Sequence, residues 1–224
     1  MPSVAKKILN ALTGIGLISF LVVHLLGNLT LFSDDSNLFN TYAKYLHDLG
    51  WLLMAIEIGL LALFAAHIIS SIAITISNRK ARTGKYEATS KGRATTTSPA
   101  VSRNMIYTGI LLGAFVVWHV LSFRFGPGIA EGYYTTINGE VTRDLHALVY
   151  NFFESHLNVV LYMAAMIFLG FHLRHGYWSA FQSLGAVNKK YISFVTTAGY
   201  LMAVVLAAGF LVIPLWVHIT GHGG

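Results

Sequence analysis

The sequence contains no cysteine among its 224 residues. That excludes disulfides, iron–sulfur ligation, thiolate-ligated haem and covalent c-type haem within this chain. Charge is scarce as well. Only 11% of residues are Asp, Glu, Lys or Arg, against roughly 25% in a soluble domain. There are four prolines, and the only one inside an expected span, Pro214, lies near that span's end. No polar stretch is long enough to bury a core of its own. What remains is apolar: 55% of residues are hydrophobic and the mean hydropathy is +0.62. Together these values place the chain among polytopic membrane proteins, as one bundle. No cleavable signal pattern is expected, because the first apolar run is too long for an h-region and lacks a small-residue cleavage site.

Five apolar runs are long enough to cross a ~30 Å hydrocarbon layer at ~1.5 Å per residue. They cover about 11–31, 51–76, 105–123, 157–178 and 191–217. The expected fold is therefore an all-α, five-span transmembrane helix bundle. Between the spans, 33–50 is polar, with Asp34, Asp35, Asp48 and turn formers. The stretch 77–104 is basic, rich in Ser, Thr and Gly, and reads as an irregular loop. A longer polar excursion covers 124–156. Within it, Tyr134 to Thr142 alternates around Asn138-Gly139, which signals a type I′ hairpin; an unstructured turn is the alternative. Asp144 to Phe153 reads as a short amphipathic helix at the interface. No internal repeat is visible.

The net charge of +6 is distributed by side. The N-terminus and the second and fourth loops, with the ends of their spans, carry Lys6, Lys7, Arg79, Lys80, Arg82, Lys85, Lys91, Arg93, Arg103, Arg174, Lys189 and Lys190, opposed by Glu87. The other side has Lys44, Arg124 and Arg143. The positive-inside rule then predicts a cytoplasmic N-terminus and an external C-terminus. The charge is topological, so nucleic acid is not an expected partner. The basic loops can dock anionic lipid or an acidic protein face.

Four spans carry one interior histidine each: His24, His67, His119 and His172. An unpartnered imidazole in hydrocarbon costs several kcal/mol. Measured from the basic side by helical rise, His67 and His172 lie about 13 and 9 Å deep, and His24 and His119 about 18 and 21 Å deep. That makes two layers, each with two histidines from different helices. Two facing imidazoles suit the axial positions of a haem iron. Zinc needs three or four protein ligands, and neither layer offers a third. Filling both axial positions favours electron transfer over oxygen chemistry.

Several neighbours are candidates for supporting roles. Gly16, Gly27 and Asn28 share the His24 face, and small residues there make room for a flat macrocycle. Ser70, Ser71 and Ser122 can take the second imidazole N–H. Close helix packing explains the same small residues, and Gly109 with Gly113 reads as such a packing face. Arg174 and His175 sit beside His172, where they could pair with haem propionates or snorkel to lipid phosphate. The remaining histidines, His47, His146, His156, His218 and His222, read as solvated. Glu57 is the only acid inside a span, a candidate for exchanging protons with a quinone.

The order of these motifs resembles a known family. HLLGN at His24, AAHIISSI at His67 followed by NRKARTGKY, SRNMIYTG leading to WHVLSFRF at His119, and GFHLRHGYWSAFQSLG at His172 run along nearly the whole chain. They are similar to the di-haem b558-type cytochrome b anchor of succinate dehydrogenases and fumarate reductases. The resemblance implies His67 with His172 as axial ligands of an inner haem and His24 with His119 of an outer one, both between the first four helices. It implies an FAD flavoprotein and an iron–sulfur subunit docked on the cytoplasmic face, and a quinone, typically menaquinone, as electron acceptor. It further implies a respiratory complex II in the bacterial inner membrane, working in the tricarboxylic acid cycle as a higher oligomer. This chain would carry no dicarboxylate chemistry itself. Some fumarate reductase relatives have a glutamate two residues before the fourth-span ligand. Gly170 stands there in this chain, which tilts the expectation toward succinate oxidation. Two rivals remain. One is the cytochrome b of a hydrogenase or formate dehydrogenase, whose ligand spacing fits less well. The other is a proton-coupled transporter, which predicts broken helices and inverted repeats.

Overall fold

The structure is a computed structural model that describes residues 3–80, 99–187 and 190–221. It comprises α1 (Ser3–Asn28), a 3-10 turn (Leu29–Phe32), α2 (Ser36–Asp48), α3 (Trp51–Lys80), α4 (Pro99–Phe123), a second 3-10 turn (Ile129–Glu131), β1 (Tyr134–Ile137), β2 (Glu140–Arg143), α5 (Leu145–Phe153), α6 (His156–Ser183) and α7 (Ile192–Gly221). Helices α1, α3, α4, α6 and α7 are long and apolar enough to cross a membrane, as the composition predicts. Large apolar side chains such as Leu61, Ile69, Ile110, Phe171 and Val205 stand mostly exposed along them. Hydrocarbon is the solvent that suits such a surface.

Two loop expectations need correction. Residues 33–50 are not merely a turn-rich link but contain α2. The Asp35 carboxylate accepts from the Asn37 backbone N–H at 2.9 Å and starts that helix, satisfying a donor that the first turn leaves open. Nor is 77–104 irregular throughout. α3 runs on to Lys80 and α4 begins at Pro99. Arg79 and Lys80 complement the negative end of the α3 dipole, and proline is favoured at a first helical position because it has no N–H to satisfy. Arg82, Lys85, Glu87, Lys91, Arg93, Lys189 and His222 lie outside the described residues, as does the Arg103 side chain.

The hairpin is present. β1 and β2 pair antiparallel with Ile137 opposite Glu140, and Asn138 and Gly139 both take positive φ, 53° and 83°. That is the left-handed pair a type I′ turn requires. A buried asparagine ties this end together. Asn40 of α2, only 2% exposed, donates to Asp144 Oδ1 at 2.8 Å and accepts from the His146 backbone N–H at 2.9 Å. Lys44 bridges α2 to the hairpin through Glu140 at 2.7 Å. The short helix expected near Asp144 is α5, started by Asp144 accepting from Ala147.

Four spans form a ring. α1 packs between α3 and α6, α4 rests on α6, and α7 covers α1 and α6. α3 and α4 touch sparsely. α1 and α4 are thus opposite one another, and so are α3 and α6. The α6–α7 seam is close: a Cβ at Gly199 would overlap the Tyr177 ring, and one at Gly170 would lie 3.0 Å from Ala207 Cβ. The continuous buried core, including Leu25, Phe39, Val149, Phe153, Tyr162, Leu206 and Val217, sits toward the hairpin end. The other end, where Lys6, Lys7, Arg79 and Lys80 lie, is called the basic end below.

Candidate functional site

The four interior histidines face inward from opposite helices of the ring. At the hairpin end, the rings of His24 on α1 and His119 on α4 lie 5.8 Å apart, centroid to centroid, at 88°. At the basic end, His67 on α3 and His172 on α6 stand on opposite helices of the ring, each beside a threonine hydroxyl. An imidazole nitrogen sits about 2 Å from a bound transition metal, which sets the ring centroids of two axial ligands roughly 6 Å apart. The His24–His119 separation therefore matches an axial pair. Among the described residues no group of three or more His, Cys, Asp or Glu converges, so this donor set suits a metal already held equatorially by a macrocycle rather than bare zinc. At the hairpin end the paired imidazoles have the donor type and spacing that a haem would need; at the basic end His67 and His172 offer the same donor type from opposite helices.

The two layers are held differently. At the basic end the Thr13 hydroxyl lies 3.3 Å from His67 Nδ1, and the Thr108 hydroxyl lies 3.1 Å from His172 Nδ1. The residue after each threonine is a glycine against the same ring. A Cβ at Gly14 would come 3.3 Å from His67 Cε1, and one at Gly109 would come 3.5 Å from His172 Cε1. At the hairpin end aromatic rings do the holding. Phe20 stacks on His24 at 5.2 Å and 18°, Phe210 lies 5.8 Å from it, and Phe115 stacks on His119 at 5.8 Å and 28°. Phe123 closes on His119 at 5.3 Å, and the Tyr162 hydroxyl lies 3.4 Å from His119 Nδ1.

This geometry exposes a repeat, which corrects the expectation that there is none. Thr13, Gly14, Ile15, Leu17, Phe20, Val22 and His24 of α1 recur as Thr108, Gly109, Ile110, Leu112, Phe115, Val117 and His119 of α4, at one constant offset. Eleven residues separate threonine from histidine in each copy, close to three helical turns, so both side chains share a face about 16 Å apart along the axis. In each copy the threonine serves the histidine on the following long helix, and the histidine faces its counterpart in the other copy. The bundle is two related helix pairs, α1 with α3 and α4 with α6. Thr13, Thr108 and Tyr162 were not among the expected site residues. The signal that could have found the two threonines is the shared Thr-Gly…Phe…His order; nothing in that order points to Tyr162.

The serines behave otherwise than expected. Ser70 and Ser71 donate to Asn10 Oδ1 at 3.0 and 2.7 Å, and Ser122 donates to the Trp118 carbonyl; none takes an imidazole N–H. Ser70 and Ser71 pin α3 to α1 beside His67 instead. Gly16 and Gly27 allow close packing, since a Cβ at either would run into Leu63 or Tyr42. Asn28 donates back to the His24 carbonyl. Gly109 faces the His172 ring and Gly113 meets nothing within 4 Å, so they are not a tight packing face.

Arg174 turns to α7, with its guanidinium 5.7 Å from the Tyr200 ring. His175 does lie near His172. Three histidines expected in solvent are engaged. His146 stacks on Tyr150 at 4.3 Å, while His156 and His218 meet at 4.5 Å and the His218 ring lies 2.7 Å from the Phe153 carbonyl. Gly170 abuts α7, so a glutamate could not stand there without moving that helix.

Glu57 is not a lone carboxylate. It accepts two hydrogen bonds from Arg124, at 2.7 and 3.0 Å, and this bond raises the Arg124 guanidinium above its ordinary range. Contacts Gly14–His67 and Gly16–Leu63 set the antiparallel register of α1 and α3. Extending that register puts Glu57 level with His24. Beside this end a cleft of about 280 Å³ is lined by Ser122, Pro127, Tyr133, Asn151 and Phe152, among others. Trp118, Phe152 and Tyr162 form a chain of ring contacts from it to His119.

No family model, no curated protein and no solved structure matches this chain. Its functional reading rests on residues and geometry.

Proposed function

We propose that this chain is the membrane-anchor cytochrome b subunit of a succinate:quinone oxidoreductase. The observation that carries the proposal is the facing pair of imidazoles, His24 and His119, on opposite helices of one apolar bundle, with His67 and His172 on the other two helices at a second height. His24 with His119, and His67 with His172, would hold two b haems, whose iron carries single electrons between the ends of the bundle. The chain's own part is to fix those imidazoles, to exclude water between the layers, and to offer docking surfaces at both ends. The basic end, turned to the cytoplasm by the positive-inside rule, would receive the iron–sulfur subunit and its FAD partner. The hairpin end would meet the quinone.

Glu57 is the proton-exchanging candidate there. Its side chain pairs with Arg124 at the apolar boundary, where a proton-exchanging group beside a quinone is needed. The absence of an acid at Gly170 supports succinate oxidation as the working direction. Arg174 is no longer favoured for a propionate, because it faces away from the ring of helices; His175 is kept.

Purified from haem-replete cells, the protein should show dithionite-reduced b-type bands equivalent to two haems per chain, and FAD should copurify with it. A colourless preparation sinks the proposal. Glu57→Gln should slow quinone reduction while leaving the haem bands unchanged, and undiminished turnover removes Glu57 from the mechanism.

A further inference from the structure

The threonine–glycine pairs in the repeat do more than fill space. We infer that Thr13 and Thr108 are positioning residues that lock His67 and His172 in the Nδ1–H tautomer, leaving Nε2 as the free lone pair of each ring. A threonine hydroxyl has one hydrogen. Thr13 donates it to the Leu9 carbonyl at 2.8 Å, with the Asn10 carbonyl at 3.1 Å. Thr108 donates its hydrogen to the Met105 carbonyl at 3.1 Å. The Thr13 hydrogen is thereby committed to its own helix, which leaves the oxygen facing His67 Nδ1 as an acceptor; Thr108, with the Met105 carbonyl and His172 Nδ1 both at 3.1 Å, is assigned the same arrangement from its matching place in the repeat.

Two helices make this arrangement at equivalent positions of the repeat, and the following glycine gives each ring its place. A neutral imidazole protonated at Nδ1 binds a metal through Nε2 alone. An acceptor on Nδ1–H also raises the ring's electron donation to whatever Nε2 holds. The hairpin end lacks this device. There His119 meets a phenol at 3.4 Å, and His24 is held by stacking. The tautomer is thus set by the fold at the basic end before any cofactor arrives.

The consequence for a bound haem rests on the proposed function; the tautomer itself does not. In the full chain carrying ¹⁵N-histidine and depleted of haem, the ring shifts of His67 and His172 should report protonated Nδ1 and bare Nε2. The reverse tautomer at both would overturn the inference, whether or not the protein ever binds haem. In the haem-loaded protein, Thr13→Val and Thr108→Val should each move the basic-end midpoint potential upward and leave the hairpin-end midpoint in place. Thr13→Ser and Thr108→Ser should stay near wild type, because serine keeps the hydroxyl. An unmoved basic-end midpoint, or a shift that serine does not rescue, reduces the threonines to packing residues. A valine variant that does not fold leaves the ¹⁵N measurement on the unaltered chain to decide.

Discussion

The two histidine layers use the same ligand chemistry in different surroundings. At the basic end, hydroxyls hold ring nitrogens and glycines hold ring faces. At the hairpin end, phenylalanines stack on the rings and a tyrosine stands at hydrogen-bond range. A hydrogen bond fixes which nitrogen is free; stacking fixes only the plane. Both rings of the basic end therefore have a hydroxyl on Nδ1, whereas at the hairpin end His119 alone does and His24 is held by stacking. One repeated segment on α1 and α4 supplies both, because threonine and histidine sit three turns apart on the same face.

The largest effect should come from filling the glycines. In Gly14→Val and Gly109→Val the added Cβ would itself reach the ring, at 3.3 Å from His67 Cε1 and 3.5 Å from His172 Cε1, so the branching methyls would crowd it. On the proposed function, either should remove the basic-end centre and halve the haem content, with the hairpin-end bands unchanged. Loss of both centres together would mean the layers do not assemble separately.

A smaller effect is expected from Asn10→Ala, which leaves the Ser70 and Ser71 hydroxyls without their shared acceptor. Interhelical hydrogen bonds of this kind contribute about 1 kcal/mol. The thermal midpoint should fall by a few degrees, and the basic-end spectrum should broaden before the hairpin-end one does. Equal broadening of both would deny that Asn10 serves its own layer.

The smallest effect concerns pH at the cap over the hairpin end. Burial holds His146 below its ordinary value of 6.5, with Asp144 pulling the other way. The folded pKa is depressed, so the opened state takes up a proton first. The stability His146 contributes is present above about pH 6.5 and is lost as pH falls toward the folded value. After correction for intrinsic rates, amide exchange in α5 should quicken between about pH 7 and pH 5. His146→Phe should flatten that dependence, and amides near Thr13 should not follow it. A variant with the wild-type profile would assign the effect to another group.

Much of the fold was legible because lipid demands long apolar helices, and composition alone reports those. The hairpin was legible because Asn138-Gly139 has few alternatives. α2 was hidden because Asp34, Asp35 and Asn37 look like a turn until Asp35 is taken as a cap. The histidine layers could be placed by counting turns. Their supports could not, since a mid-span threonine ordinarily bonds its own helix and nothing local reveals that Thr13 reaches His67 on another. The repeat escaped notice because its matching positions are interrupted by variable, outward-facing ones. Ser70 and Ser71 misled for the opposite reason. They sit next to His67 in sequence, yet the register of α1 hands their hydroxyls to Asn10.

The most direct measurement is the pattern of centres lost across four single variants. Redox titrations of His24→Ala, His67→Ala, His119→Ala and His172→Ala should yield two phenotypes. The first and third should lose one spectral component, and the second and fourth should lose the other. If His24→Ala and His67→Ala removed the same component, the opposite-helix pairing would be contradicted.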